Sequence, residues 1–174
     1  MKTLLLSLIF FTVLVGFSFS QANNPVPKFN VNKDGIKPVV LTFDASYTAD
    51  KIYSKAKTWN PSVVKYPEAA TRIDKTNEQL KYGGYIEQAW KINDNNFDHW
   101  YQMEYTLNIE IKDGKCRVTF ESPEEKYKVW FNSDGTLIKK FSVSKASLET
   151  SINKLLTSLY TYIKDEPKKA TDNW

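Results

Sequence analysis

The sequence predicts a two-layer α+β domain, a curved antiparallel sheet packed on one face by helices, in a helix-grip arrangement. Three observations carry that prediction. Tyr101, Met103, Tyr105, Leu107, Ile109 and Ile111 are apolar, and the residues between them, Gln102, Glu104, Thr106, Asn108 and Glu110, are all polar. Such strict alternation marks a strand with one face buried and one wet. Asp113-Gly114 then supplies a two-residue hairpin turn, because a type I′ turn needs positive φ at both central positions. Finally, Leu148, Ile152, Leu155, Leu156, Leu159 and Ile163 form a broad apolar face on a long C-terminal helix, which needs a surface to cover.

The elements follow in order. Met1-Lys2, the apolar run Leu4 to Phe17 and the small residues Ser18 and Ser20 read as a secretory signal peptide over 1–20, with Ala22 as a second cleavage site. The run is shorter than the ~20 residues that span a bilayer, so no stable membrane insertion is expected after cleavage. Residues 21–37, rich in Asn, Pro and Lys, read as a flexible lead-in, and a single domain is expected over 38–165, followed by a polar tail over 166–174. Val39, Leu41 and Phe43 alternate with Val40, Thr42 and Asp44 in a first strand. Thr48 caps a helix whose stripe is Ile52, Ala56, Trp59 and Val63, with Asp50 at the positive end of the dipole. Asn60-Pro61 is expected to break or kink it, and Tyr66-Pro67 to close the region.

A run of about six strands is expected next. The first spans Ala70 to Lys75, turns at Thr76-Asn77-Glu78, and leads into a long strand from Gln79 to Ile92. A loop over Asn93 to Asp98 precedes the alternating strand. Placing the next turn at Asp113-Gly114 pairs Lys112 with Lys115, Ile111 with Cys116, Ile109 with Val118 and Leu107 with Phe120, and sets Glu110 opposite Arg117 on the wet face. A slip of one residue would turn the second strand's apolar set into water. A further hairpin, Tyr127–Phe131 to Thr136–Phe141, is read around the turn Asn132–Gly135. The last helix is capped at Ser144, with Val143 and Leu148 as a hydrophobic staple.

Composition excludes several chemistries. The net charge of +4, which falls to +3 without Lys2, is spread without a block of like charges and offers no stripe to track nucleic-acid phosphates. Cys116 is the only cysteine, so no intramolecular disulfide forms despite the oxidising destination, and its predicted place opposite Ile111 makes it inert. One Cys and one His, His99, are too few for a zinc site built on those ligands, and no G-x-S-x-G elbow surrounds any serine that His99 would serve. Asp94, Asn96 and Asp98 have the first three spacings of a calcium loop, but His99 stands where the turn needs Gly and Tyr105 where the bidentate Glu belongs. Glu104, Glu110 and Glu121 lie on the wet face among Lys115, Arg117 and Thr119, a solvated surface rather than a glycosidase pair. Gly83-Gly84 has no phosphate-loop context. No catalytic residue, metal or cofactor is therefore expected, and the chain reads as non-enzymatic.

The segments FDAS, ADKIYSKAKTW, AATRIDKTNEQLKYGGYI and YTLNIEIKDGKCRVTF resemble a family of exported bacterial proteins, domain of unknown function 4468, which has a TATA-binding-protein-like fold. The resemblance covers Val39 to Phe120 and implies the fold and export to the periplasm or the exterior. It implies no activity and no functional residues, and a fold name licenses no DNA-binding function.

Two functions remain. In one, a small apolar ligand sits between the sheet and the final helix, lined by Tyr82, Gly84, Trp90 and Tyr105, since apolar concavities are the usual ligand sites. In the other, the protein is a structural or interaction module of the cell envelope that meets a protein or glycan through its exposed sheet face or edge. Gly84 poses the distinguishing question. It leaves a missing side chain between Tyr82 and Ile86, which either bends the strand, admits the helix, or lines a notch.

Overall fold

The computed structural model describes residues 25–63, 71–94, 97–123 and 125–165. The apolar leader with its cleavage site, the Tyr66-Pro67 break and the polar tail lie outside the described residues. Five strands form one antiparallel sheet: β3 (Val39–Thr42), β4 (Thr71–Lys75), β5 (Gln79–Asp94), β6 (Phe97–Lys112) and β7 (Lys115–Glu121), in the spatial order β3-β7-β6-β5-β4. A separate two-stranded ribbon, β1 (Val31–Asn32) with β2 (Gly35–Ile36), precedes them. Two helices, α1 (Ala49–Val63) and α2 (Ser142–Lys164), cover one face.

The turn at Asp113-Gly114 fixes the sheet. Gly114 has φ +69° but Asp113 does not have positive φ, so the turn is not the expected type I′; the pairs Lys112–Lys115, Ile111–Cys116, Ile109–Val118 and Leu107–Phe120 nevertheless form in the predicted register. Leu80, Tyr82, Tyr105, Leu107, Ile109, Cys116, Val118 and Phe120 are consequently all buried. The same turn also starts α1. The Asp113 carboxylate accepts the N–H of Ala49 at 2.7 Å, while Thr48 Oγ1 accepts that of Lys51 at 3.3 Å, so two of the helix's orphan donors are satisfied. α1 then runs to Val63 without stopping at Asn60-Pro61.

α2 buries Leu148, Ile152, Leu156, Leu159 and Ile163 as its stripe predicts. Its start differs from the expectation. A 3-10 turn over Lys139–Phe141 feeds directly into the helix at Ser142, so the chain is already coiling before Ser144. Ser144 lies buried within the first turn, and Val143 is exposed and staples nothing.

Three further differences follow. The lead-in is ordered from residue 25, and Phe29, Val31 and Ile36 are buried. Its backbone partner is α2: Asn153 accepts the N–H of Phe29 at 2.7 Å and donates to its carbonyl at 3.0 Å, and Glu149 accepts the N–H of Val31 at 2.9 Å. The loop expected at Asn93–Asp98 is mostly strand, with Asn93 paired to Asp98 and Asp94 to Phe97. Four strands follow α1, rather than about six, because the hairpin expected over Tyr127–Phe141 is reduced to one bridge, Phe131–Leu137. Its first half is a 3-10 turn, Lys126–Trp130, in which residues three apart share a side. Tyr127 and Trp130 therefore both enter the core, and Val129 between them is 68% exposed. The expected turn itself is present: the Gly135 N–H donates to the Asn132 carbonyl at 3.0 Å, and Gly135 has φ +86°.

Candidate functional site

Tyr82, Gly84 and Tyr105 come together on the covered face of the sheet, and their side chains fill it. The Tyr82 hydroxyl donates to the Ala56 carbonyl in α1 at 3.3 Å, and its ring meets Trp59 edge-on at a centroid distance of 6.4 Å. The Trp59 indole N–H in turn donates to Ser158 Oγ of α2 at 3.2 Å, so one chain of contacts ties β5 to both helices. Gly84 pairs with Tyr105 across the ladder, and the Tyr105 ring lies over it. A Cβ on Gly84 would stand 2.9 Å from Tyr105 Oη and 3.0 Å from Cζ. On its other side Tyr105 stacks on Phe120, with centroids 5.3 Å apart and planes at 17°. The notch over Gly84 is thus closed by its cross-strand neighbour, whose ring supplies the three atoms nearest to it. Burial raises the Tyr82 and Tyr105 hydroxyls above the ordinary phenol value, which keeps both neutral.

Trp90 sits apart from these three. β5 carries two extra residues between Ile86, opposite Met103, and Trp90, opposite Tyr101. Simple alternation from Leu80 and Tyr82 would turn polar Gln88 inward; this bulge absorbs it and leaves Gln88 exposed beside buried Ala89. Trp90 stacks on Tyr101 at 4.2 Å and meets Trp130 edge-on at 5.1 Å. The space lined by Trp90, Met103, Ser122, Lys126, Tyr127 and Leu148 amounts to about 10 Å³. That is at the lower limit for one water molecule.

The exposed chemistry lies further along the β5–β6 hairpin. β7 pairs with β6 only over Thr106–Lys112, and β4 pairs with β5 only over Gln79–Tyr82. Among the described residues no third strand pairs with Gly83–Asp94 or Phe97–Tyr105, and within them this end of the hairpin is a two-stranded ribbon. α2 leans on the β5 side of it: Ser147 Oγ accepts the Lys91 N–H at 3.1 Å and Ser151 Oγ donates to the Gln88 carbonyl at 3.2 Å. On the rest of the ribbon Phe97 is 72% exposed, Trp100 44% and Tyr101 39%. Lys91 Nζ lies 2.6 Å from Asp98 Oδ2 and 5.3 Å from the centre of the Trp100 ring, and Asn93 donates to Asp98 at 3.0 Å. Hydrogen bonds from Lys91 and Asn93 hold the Asp98 carboxyl below its ordinary value. His99, opposite Ile92, is exposed on the same ribbon. The sequence reading did not single out Phe97 or Trp100. The signal was a difference in length, since β6 has 16 residues and β7 only 7.

The other polar candidates are engaged in surface pairs. Glu110 is held by Arg117, and Glu121 lies 3.5 Å from Lys81. Asp98 is occupied by Lys91 and Asn93, and Asn96 lies outside the described residues. Among the described residues no group of three or more His, Cys, Asp or Glu side chains stands close enough to hold a metal ion, and no helix is long and apolar enough to cross a membrane.

The family model for a domain of unknown function with a TBP-like fold, DUF4468, matches residues 43–131, more than half of the chain. The chain belongs to the DUF4468 family. Two solved structures share the fold. A DUF4468 family protein from Bacteroides ovatus has a TM-score of 0.52 at 13% identity, over 83% of this chain and 93% of that one. A TBP-like protein from Parabacteroides distasonis has a TM-score of 0.55 at 8% identity, over 82% of this chain and 99% of that one. No curated protein matches in sequence. At these identities the likeness concerns the fold alone, so function has to be argued from the surface of this DUF4468 protein.

Proposed function

We propose that this DUF4468 protein is an exported, non-catalytic interaction module of the cell envelope that meets its partner through the distal β5–β6 ribbon. The observation that supports this reading is a contrast. Only about 10 Å³ is left beside Trp90 and Met103, whereas Phe97, Trp100 and Tyr101 are exposed on backbone that, among the described residues, no strand besides β5 pairs with. Exposed aromatic side chains clustered within a few residues, here on both faces of the ribbon, are a common mark of a contact site. A small apolar ligand buried beside Tyr82, Trp90 and Tyr105 would need the volume those side chains already take up, and the space of about 540 Å³ between β5 and α2, lined by Ile86, Gln88, Ser151 and Leu155 among others, is an open groove rather than an enclosed cavity. Export rests on the Leu4–Phe17 leader, and the mass of the protein recovered from its host should correspond to a chain beginning at Gln21.

A photo-crosslinking residue placed at Phe97 or Trp100 in the native host tests the interaction. It should yield an adduct of one discrete mass, and the same probe at Lys55 on α1 should yield none. Equal, diffuse labelling from both positions would sink the reading.

A further inference from the structure

Every other free edge in the sheet is guarded. β3 is entered through Lys37-Pro38, and Pro38 has no N–H to offer. β4 has five residues, includes Arg72 and Lys75 in its sequence, and has a shift in register between Thr71 and Ile73. The uncovered part of β5 is met by Ser147 and Ser151 of α2. These are the ordinary defences of an edge strand: brevity, positive charge, proline, bulges or cover. The stretch FDHWYQM of β6, Phe97–Met103, has none of them until Ser122 and Tyr127 close over Met103. It contains no lysine, proline or glycine, and among the described residues no strand pairs with it on the side away from β5.

The groups on that edge can be assigned. The Ile111 N–H donates to the Glu78 carbonyl at 2.8 Å, toward the β5 side. Main-chain groups in an antiparallel ladder alternate sides, so the even-numbered residues of β6 turn theirs the other way. The bulge lies in β5, which leaves the phase of β6 unbroken. Asp98, Trp100 and Gln102 therefore present their N–H and C=O groups at the open edge.

We propose that this edge takes a second copy of the chain, paired antiparallel about a two-fold axis through Trp100. The proposal rests on the reading of the ribbon as the interaction surface and names its partner. A two-fold axis normal to the sheet can pair only residues of the same parity, so few registers exist. With Trp100 opposite Trp100 of the second copy, Asp98 faces Gln102, Phe97 faces Met103 and His99 faces Tyr101. Each match sets like chemistry against like, and the Trp100 pair exchanges two main-chain hydrogen bonds. Moving the axis to Tyr101 would set Trp100 opposite Gln102 and Asp98 opposite Glu104, and the residues at the axis would exchange no main-chain hydrogen bonds. Moving it to His99 would set Asp98 against the Trp100 ring and shorten the ladder. Asp98 is neutralised within its own chain by Lys91, so the chosen register brings no unpaired charge to the axis.

Sedimentation equilibrium of the protein as its host produces it should give twice the monomer mass. Gln102→Pro removes an outward N–H and leaves the β5–β6 ladder intact, so it should give a monomer with unchanged circular dichroism and melting temperature. Trp100→Lys, which sets two ammonium groups against each other at the axis, gives the same readout if Gln102→Pro perturbs the fold. Under mild oxidation Trp100→Cys should link to itself, since Cα atoms about 5.5 Å apart across a hydrogen-bonded pair fall within disulfide reach. Asp98→Cys and Gln102→Cys should each fail alone and link when mixed. A monomeric wild type, or a dimer in which Trp100→Cys does not link, overturns the proposal. A monomer whose Phe97 probe still captures one discrete partner overturns only the second copy and leaves the ribbon as the contact surface. A ribbon whose probes capture nothing removes both.

Discussion

Gly84→Ala is the sharpest test of how the covered face is packed. Gly84 has no positive φ, so alanine meets no backbone strain there, and the substitution should by itself stabilise by about 0.4–1 kcal/mol through the unfolded chain. Against this stands the contact. The new Cβ would lie 2.9, 3.0 and 3.1 Å from Tyr105 Oη, Cζ and Cε1, the first closer than real Cβ atoms come and the others tighter than nearly all of their contacts. Tyr105 cannot swing away freely, because Phe120 is stacked on its other side at 5.3 Å. Overpacking of this kind costs about 1–3 kcal/mol, so the net loss should be about 1–2 kcal/mol. Urea unfolding followed by tryptophan fluorescence measures it, with an expected fall in melting temperature of roughly 2–4 °C per kcal/mol. Tyr105→Phe removes the nearest atom and should recover part of the loss in the double variant. Tyr105→Leu should recover more, with a coupling of about 0.5–3 kcal/mol between the two sites. A Gly84→Ala protein as stable as the wild type would mean that the ring does not occupy the space over Gly84.

Other expectations are as direct. Asp113→Ala removes the carboxylate that caps α1 at Ala49 and should cost about 1 kcal/mol in the same assay, while Asp113→Asn should retain most of the stability. The Asp74 carboxyl is held below its ordinary 3.8 by hydrogen bonds from Lys57 at 2.8 Å and Tyr53 at 2.5 Å. Its folded pKa is depressed, so its contribution is present above the ordinary carboxylate value and is lost as pH falls through the folded one. Lys57→Gln should flatten the acid limb of a stability-against-pH profile measured below pH ~4, and an unchanged limb would refute the pairing. The Cys116 thiol, buried and pushed up to about 12, should resist a thiol reagent at neutral pH in the folded protein and react fully in denaturant.

The parts of the fold legible in the sequence are those where two independent local signals agree. The β6–β7 hairpin is one, because the alternation of Tyr101 to Ile111 and the Asp113-Gly114 turn select the same register. Tyr127 and Trp130 could not be read this way. In a five-residue stretch, Tyr127-Lys-Val-Trp-Phe131, a spacing of three and an alternation of two are both present, and the core decides between them. The lead-in was illegible for another reason: the groups that satisfy its backbone, Asn153 and Glu149, are 124 and 118 positions away. At the candidate site, the inward placing of Tyr82, Gly84 and Tyr105 follows from alternation alone. Whether they surround a space depends on where a phenol ring comes to rest, and the exposure of Trp100 depends on where β7 stops. Neither is a property of local sequence.

The junction at Asp113-Gly114 has a consequence for the order in which the chain can acquire structure. β3 has β7 as its strand partner, Leu41 lying opposite Cys116, and Ala49 at the start of α1 is capped by a residue 64 positions later. Gly114 closes the knot: its N–H donates to the Tyr47 carbonyl and its own carbonyl accepts from Phe43, both at 2.8 Å. During synthesis, the first strand and first helix of the domain therefore emerge without the residues that complete them. The β6–β7 hairpin is closed locally, at small entropic cost, whereas β3 and α1 must close long loops to reach it. The turn acts as a latch that engages late, and substitutions that remove its contacts to β3 and α1 should hasten unfolding more than they slow folding.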